Sequence, residues 1–169
     1  MADSASVSAA YAFTCTPTEV VATCPAAASS GTGASIVHDQ FNSSGTLTSA
    51  TTPPVTKVAA FDLALSDGAA TIDLTSLTGT NGATITGDGL KVQLILINAL
   101  AANANVLSFT EGASDGYALM GASFLFALQP GQKLAFYGND ATPDIADADS
   151  EIDVTGTGSQ GAEIIIVMG

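Results

Sequence analysis

Apolar and polar side chains in this chain alternate with a period of two over most of its length. Helical spacing is nearly absent, and that restricts the chain to β architectures. In residues 60–66, Phe61, Leu63 and Leu65 share one face of a strand, opposite Asp62 and Ser66. Residues 71–75 repeat the pattern with Ile72 and Leu74, and residues 123–128 with Phe124, Phe126 and Leu128. Two further strands are expected over 133–137 and 151–155. Residues 90–98 and 162–168 are apolar at both parities, the mark of central strands covered on each side. The one helical candidate, 98–105, is too short to form a layer.

Turn chemistry separates these runs. Ser66-Asp67-Gly68, Asn81-Gly82, Gly87-Asp88-Gly89, Gln129-Pro130-Gly131 and Gly138-Asn139-Asp140 supply the positive-φ and preset-φ residues of tight turns. Strands every 8 to 12 residues with such punctuation predict an all-β fold, a single jelly-roll-like antiparallel β-sandwich. At 169 residues the chain holds one domain with a real core. That sandwich is assigned to residues 55–169. Residues 1–54 differ, being rich in Ala, Ser and Thr, carrying both cysteines and ending in Thr52-Pro53-Pro54. Short β-like runs at 11–15, 19–24 and 36–41 make them either the first sheet edge of the same domain or an extended N-terminal arm that pairs with a neighbouring subunit. The Pro-Pro step predicts an extended connector.

Charge narrows the function. Sixteen acids face three bases (Lys57, Lys91 and Lys133), for a net charge of −13 with no Arg. Nucleic-acid partners and polybasic membrane attachment are excluded, because both need clustered cations. No stretch reaches the roughly 18–20 apolar residues of a spanning helix, and the N-terminus shows no signal-peptide pattern. Only 11% of residues are charged while 47% are hydrophobic, a low charge density for a free surface. Much of the surface is therefore expected to meet other protein.

Candidate chemistry is sparse. Cys15 and Cys24 flank Thr16-Pro17-Thr18, so a hairpin disulfide or two free thiols are both open, and no second Cys pair suggests a metal. His38-Asp39 is the one acid–base pairing, without a placed nucleophile or a Gly-x-Ser-x-Gly elbow; no enzyme activity and no cofactor are expected. The glycines form no phosphate loop. Tyr117 and Tyr137 are the two aromatic platforms a sugar could stack on. The densest acidic run, residues 139–153, offers Asp140, Asp144, Asp147 and Asp149 as weak Ca²⁺ ligands, though not in EF-hand order. The rival reading puts Asp147, Asp149, Glu151 and Asp153 on one strand face as a solvated, pairing-resistant edge.

From Phe61 to the C-terminus the chain resembles β-sandwich structural proteins of tailed bacteriophages. The likeness is carried by residues 67–75 (DGAATIDLT), 89–93 (GLKVQ), 103–106 (NANV), 112–117 (GASDGY), 128–131 (LQPG) and 155–160 (TGTGSQ) before a terminal Ile/Val strand. It covers about two thirds of the chain, excludes residues 1–54, and is a pattern of strands and turns without active-site residues. It implies a virion role on the outer capsid surface, as a cement or decoration protein. The expected partners are the major capsid protein and copies of itself; a homotrimer follows from analogy with threefold decoration proteins. The alternatives are a tail or head-fibre component and an extracellular Ca-dependent carbohydrate-binding module.

Overall fold

The computed structural model describes residues 7–15, 17–21, 34–37, 41–79 and 82–169, with backbone only for 18–21, 34–37 and 41. The strands, in chain order, are β1 (Ser8–Cys15), β2 (Thr18–Val21), β3 (Ala34–Val37), β4 (Phe41–Thr48), β5 (Lys57–Ala64), β6 (Ala69–Asp73), β7 (Leu77–Thr78), β8 (Thr84–Ile85), β9 (Val92–Ala99), β10 (Leu107–Glu111), β11 (Leu125–Leu128), β12 (Lys133–Tyr137), β13 (Glu151–Thr155) and β14 (Gly161–Met168). No helix occurs among the described residues. Ala9–Thr46 form one compact unit, and Leu47–Gly169 together with residues up to Ser8 form the other. In the first, β1 pairs with β4 and β2 with β3.

The second unit contains two four-stranded sheets, ordered β11-β10-β13-β6 and β12-β9-β14-β5, with β7 and β8 as a small separate pair. All the pairings within the four-stranded sheets are antiparallel. Numbering the eight sandwich strands consecutively, the sheets read 5-4-7-2 and 6-3-8-1. That is the double Greek key of a jelly roll, in which successive strands switch sheets except at β10–β11. The fold class expected from alternation and turn spacing is what the chain adopts.

Alternation places the core between the sheets. Ile95, Ile97, Ile164 and Ile166 from one sheet share a buried cluster with Ile72, Leu107, Phe109, Ile152 and Val154 from the other. Phe126 stacks on Phe109 with ring centroids 4.9 Å apart. Tight turns sit where the sequence placed them. Ser66 and Ala69 exchange both backbone hydrogen bonds around Asp67 (φ 51°) and Gly68 (φ 84°), the paired positive φ of a type I′ turn. A Cβ on Gly68 would also sit 2.8 Å from the Gly156 carbonyl oxygen.

Three expectations change. The Pro-Pro connector folds back instead of running extended: the Val55 N–H donates to the Thr48 carbonyl at 2.9 Å, Thr52–Pro53 is cis, and Pro53 and Val55 are buried. β13 is not an edge, because it pairs with β10 on one side and β6 on the other. Its alternating Ile152 and Val154 supply core contacts that an edge strand does not require. Finally, β9 and β14 are central as expected, but coverage of their outer face is partial: Leu94 and Val167 are buried, whereas Ile165 is 41% exposed.

Candidate functional site

The acidic run is partly consumed by the fold. Asp140 and Asp144 converge on one ammonium, with Lys91 Nζ 3.4 Å from Asp140 Oδ1 and 3.9 Å from Asp144 Oδ1. The cation these two carboxylates draw in is thus the chain's own lysine. Gln93, buried in an irregular step of β9, accepts from the Asp140 N–H at 2.9 Å and fixes this loop to the sheet. Asp147 and Asp149 are exposed at a turn closed by the Asp149 N–H and the Ala146 carbonyl. Asp153 accepts from the Thr71 hydroxyl at 2.8 Å and the Ala113 N–H at 2.9 Å. Among the described residues no three His, Cys, Asp or Glu side chains are grouped to share a metal ion. Cys15 is an exposed thiol ending β1; Cys24, and with it the choice between a bridge and two free thiols, lies outside the described residues, as do His38 and Asp39.

The two tyrosine platforms also have other settings. Tyr117 is fully buried. Its hydroxyl donates to the Pro143 carbonyl at 2.8 Å and accepts from the Val92 N–H at 3.3 Å. Burial raises its pKa above the usual 10.0, and the Asp144 charge acts in the same direction, against hydrogen bonds from Thr142 and Val92. Tyr137 is half-buried, with its hydroxyl donating to Asn139 Oδ1 at 3.1 Å. A groove beside the end of β14 is lined by Asn103 and Gln160. Both amides serve the fold: Asn103 bonds the N–H and the carbonyl of Gly161, each at 2.9 Å, and Gln160 bonds the Thr157 N–H and the Asn105 carbonyl.

What distinguishes the molecule is the outer face of the β12-β9-β14-β5 sheet. Register aligns its outward side chains into three ladders across all four strands. The first is Tyr137, Leu94, Val167 and Val58; the second is Ala135, Leu96, Ile165 and Ala60; the third is Lys133, Asn98, Glu163 and Asp62. Two complete apolar rows therefore abut one polar row, in which Asn98 donates to Glu163 Oε2 at 2.6 Å. Leu94 and Val167 are 2% exposed and Ile165 is 41% exposed, and none of the three belongs to the core cluster between the sheets.

The other sheet's outer rows are different: Leu125, Thr110, Asp153 and Thr71, then Ala127, Ser108, Thr155 and Ala69. Hydroxyls and a carboxylate fill its central positions, as water contact favours. The apolar face was not singled out in the sequence. Its signal was present in the double-parity apolar runs of residues 90–98 and 162–168, which were read as coverage within the fold. Comparison with protein-family models gives no match for this chain, and comparison with curated proteins gives none.

Proposed function

We propose that this protein is a non-catalytic structural component of a virion, a cement or decoration protein that attaches to the outer surface of the assembled capsid through its β12-β9-β14-β5 face. The observation that carries the reading is the open apolar ladder on that face, Ala135, Leu96, Ile165 and Ala60. Leu94 and Val167 of the first row are already buried within the chain, but the row Ala135, Leu96, Ile165 and Ala60 stays open, with Ile165 41% exposed; a sandwich core gains nothing from that open row, so it points to a protein surface.

The size of the patch favours a repeating partner. Four strands about 4.8 Å apart and one open row about 6.8 Å deep cover roughly 130 Å². That is about a sixth of the ~800 Å² each partner contributes to a stable one-to-one interface. Many copies on a regular lattice reach durable attachment through multivalency. A protein that binds the assembled shell and not its free subunits stabilises the shell by mass action. The net charge of −13 suits an exterior position and opposes one facing packaged DNA. The resemblance to tailed-phage sandwich proteins points the same way, and the jelly roll is an architecture of capsid components.

The test is co-sedimentation of the purified protein with empty shells of the virus that carries it, followed by micrographs. Saturable binding at lattice positions on the outer head surface is expected. Protein that stays in the supernatant, or that labels only tail or fibre, overturns the assignment.

A further inference from the structure

The outer face of the β12-β9-β14-β5 sheet continues past its polar row. One step further along the strands, register sets Leu100, Gly161 and Ala64 side by side: the Leu100 N–H donates to the Gly161 carbonyl at 3.1 Å, and Gly161 stands opposite Ala64. Two of these three positions carry a methyl group or no side chain, so the sheet surface is shallow there. With the connections around Ala102 and Ser159 this step lines a groove of about 470 Å³. Leu100 is 37% exposed beside it.

Asp62 and Glu163 line the groove where it meets the polar row, and they stand directly opposite one another on β5 and β14. Both are exposed. Like charges in that position oppose folding. Among the described residues no lysine is paired with either carboxylate. Lys91 is held by Asp140 and Asp144, and Lys133 lies two strands from Glu163 in the row, about 9.6 Å away along the sheet. The surroundings are otherwise nearly neutral. The connections at this end of the sandwich, 64–69, 99–106, 128–132 and 156–161, hold one acid, Asp67, whereas those at the opposite end, 73–91, 111–124 and 138–151, hold nine. Crowded acids draw any cation, but two carboxylates on neutral ground beside an apolar groove specify one cationic side chain.

We infer that the groove seats an extended segment of the shell protein, with a lysine or arginine of that segment bridging Asp62 and Glu163. This rests on shell attachment through the same sheet face and identifies the chemistry that the face recognises. Side chains on one side of an extended segment recur about every 6.8 Å, which is also the spacing of the rows. A segment running along the strands therefore meets Leu96 and Ile165 with an apolar side chain, the carboxylates with a cation, and Leu100 in the groove with a second apolar side chain. Charge-assisted hydrogen bonds to both carboxylates fix its register. The contact also grows: three rows cover roughly 390 Å², about half of the ~800 Å² that a stable interface needs from each partner.

The test is co-sedimentation of the full chain with empty shells at low and high salt. Asp62→Asn/Glu163→Gln removes the charges at exposed positions, and Ala102→Phe fills the groove from an exposed one. At low salt each should bind about tenfold more weakly than the wild type. Added salt should weaken the wild type more than Asp62→Asn/Glu163→Gln, because screening acts on the bridge that this variant lacks. Wild-type binding by either variant, or the same salt dependence with and without the two carboxylates, overturns the inference while leaving attachment through the open row standing. A wild type that stays in the supernatant, or undiminished binding by Leu96→Glu/Ile165→Glu, instead overturns the attachment face itself and the role of the groove with it.

Discussion

The two sheets of the sandwich have four strands each and contribute similar aliphatic and aromatic side chains to one core. Their outer faces diverge. One presents Thr110, Ser108, Asp153 and Thr155 along its middle strands; the other buries Leu94 and Val167 within the chain and leaves Leu96 and Ile165 open. Folding accounts for the inner faces and for the buried Leu94 and Val167, so what reports use is the open row around Leu96 and Ile165. A sheet face that water must solvate drifts toward hydroxyls and charges, and the β12-β9-β14-β5 face has not done so.

Substitutions separate the two roles. The largest effect is expected at the inner face, where Phe109 is fully buried and stacked on Phe126. Phe109→Ala should lower unfolding stability by about 3–5 kcal/mol in urea titrations. On the outer face, Ile165→Ala should change stability by less than about 1 kcal/mol. If the two costs proved equal, the outer rows would be part of the folding core and the comparison would fail.

Tyr117 lies between these extremes, tying β9 to the loop before β13. Tyr117→Phe leaves the Val92 N–H and the Pro143 carbonyl without their partner, at an expected loss of about 1–3 kcal/mol. The sign of the pH effect follows from burial. The folded state holds the phenolic proton above 10.0 while the unfolded chain releases it near that value. The folded state then binds more protons, so stability falls as pH rises past 10.0. Urea midpoints measured through this range should drop for the wild type, and the drop should be shallower for Tyr117→Phe.

The smallest effect probes the polar ladder. Asp62 and Glu163 stand directly opposite one another on β5 and β14, a destabilising like-charge pair. Asp62→Lys reverses that sign and should raise thermal stability by about 0.2–1 kcal/mol. An unchanged melting temperature would mean that solvent already screens the pair.

The sandwich was readable because period-two alternation and turn residues act locally. Phe61, Ile72, Phe124 and Val154 each announce their inward face, and Asp67-Gly68 announces its turn. β4 was missed over most of its length because Asn42, Ser43, Ser44 and Gly45 carry neither β-propensity nor alternation; pairing with β1 holds it extended. The edge assigned to residues 147–153 failed because acids at alternate positions do not reveal how many neighbours a strand has. Both sides of β13 are paired, and Asp153 is satisfied by Thr71 and Ala113. The docking face was hidden for a related reason. Apolar residues at both parities state that both faces of β9 and β14 avoid water, without stating which face the same chain covers.

Shell binding by two matched variants tests the central claim most directly. Leu96→Glu/Ile165→Glu charges the apolar face, and Ser108→Glu/Thr110→Glu adds the same charge to the opposite face. The first should weaken co-sedimentation with empty shells at least about tenfold, and the second should bind as the wild type does. Equal binding by both, or loss confined to the second, would contradict attachment through the β12-β9-β14-β5 face.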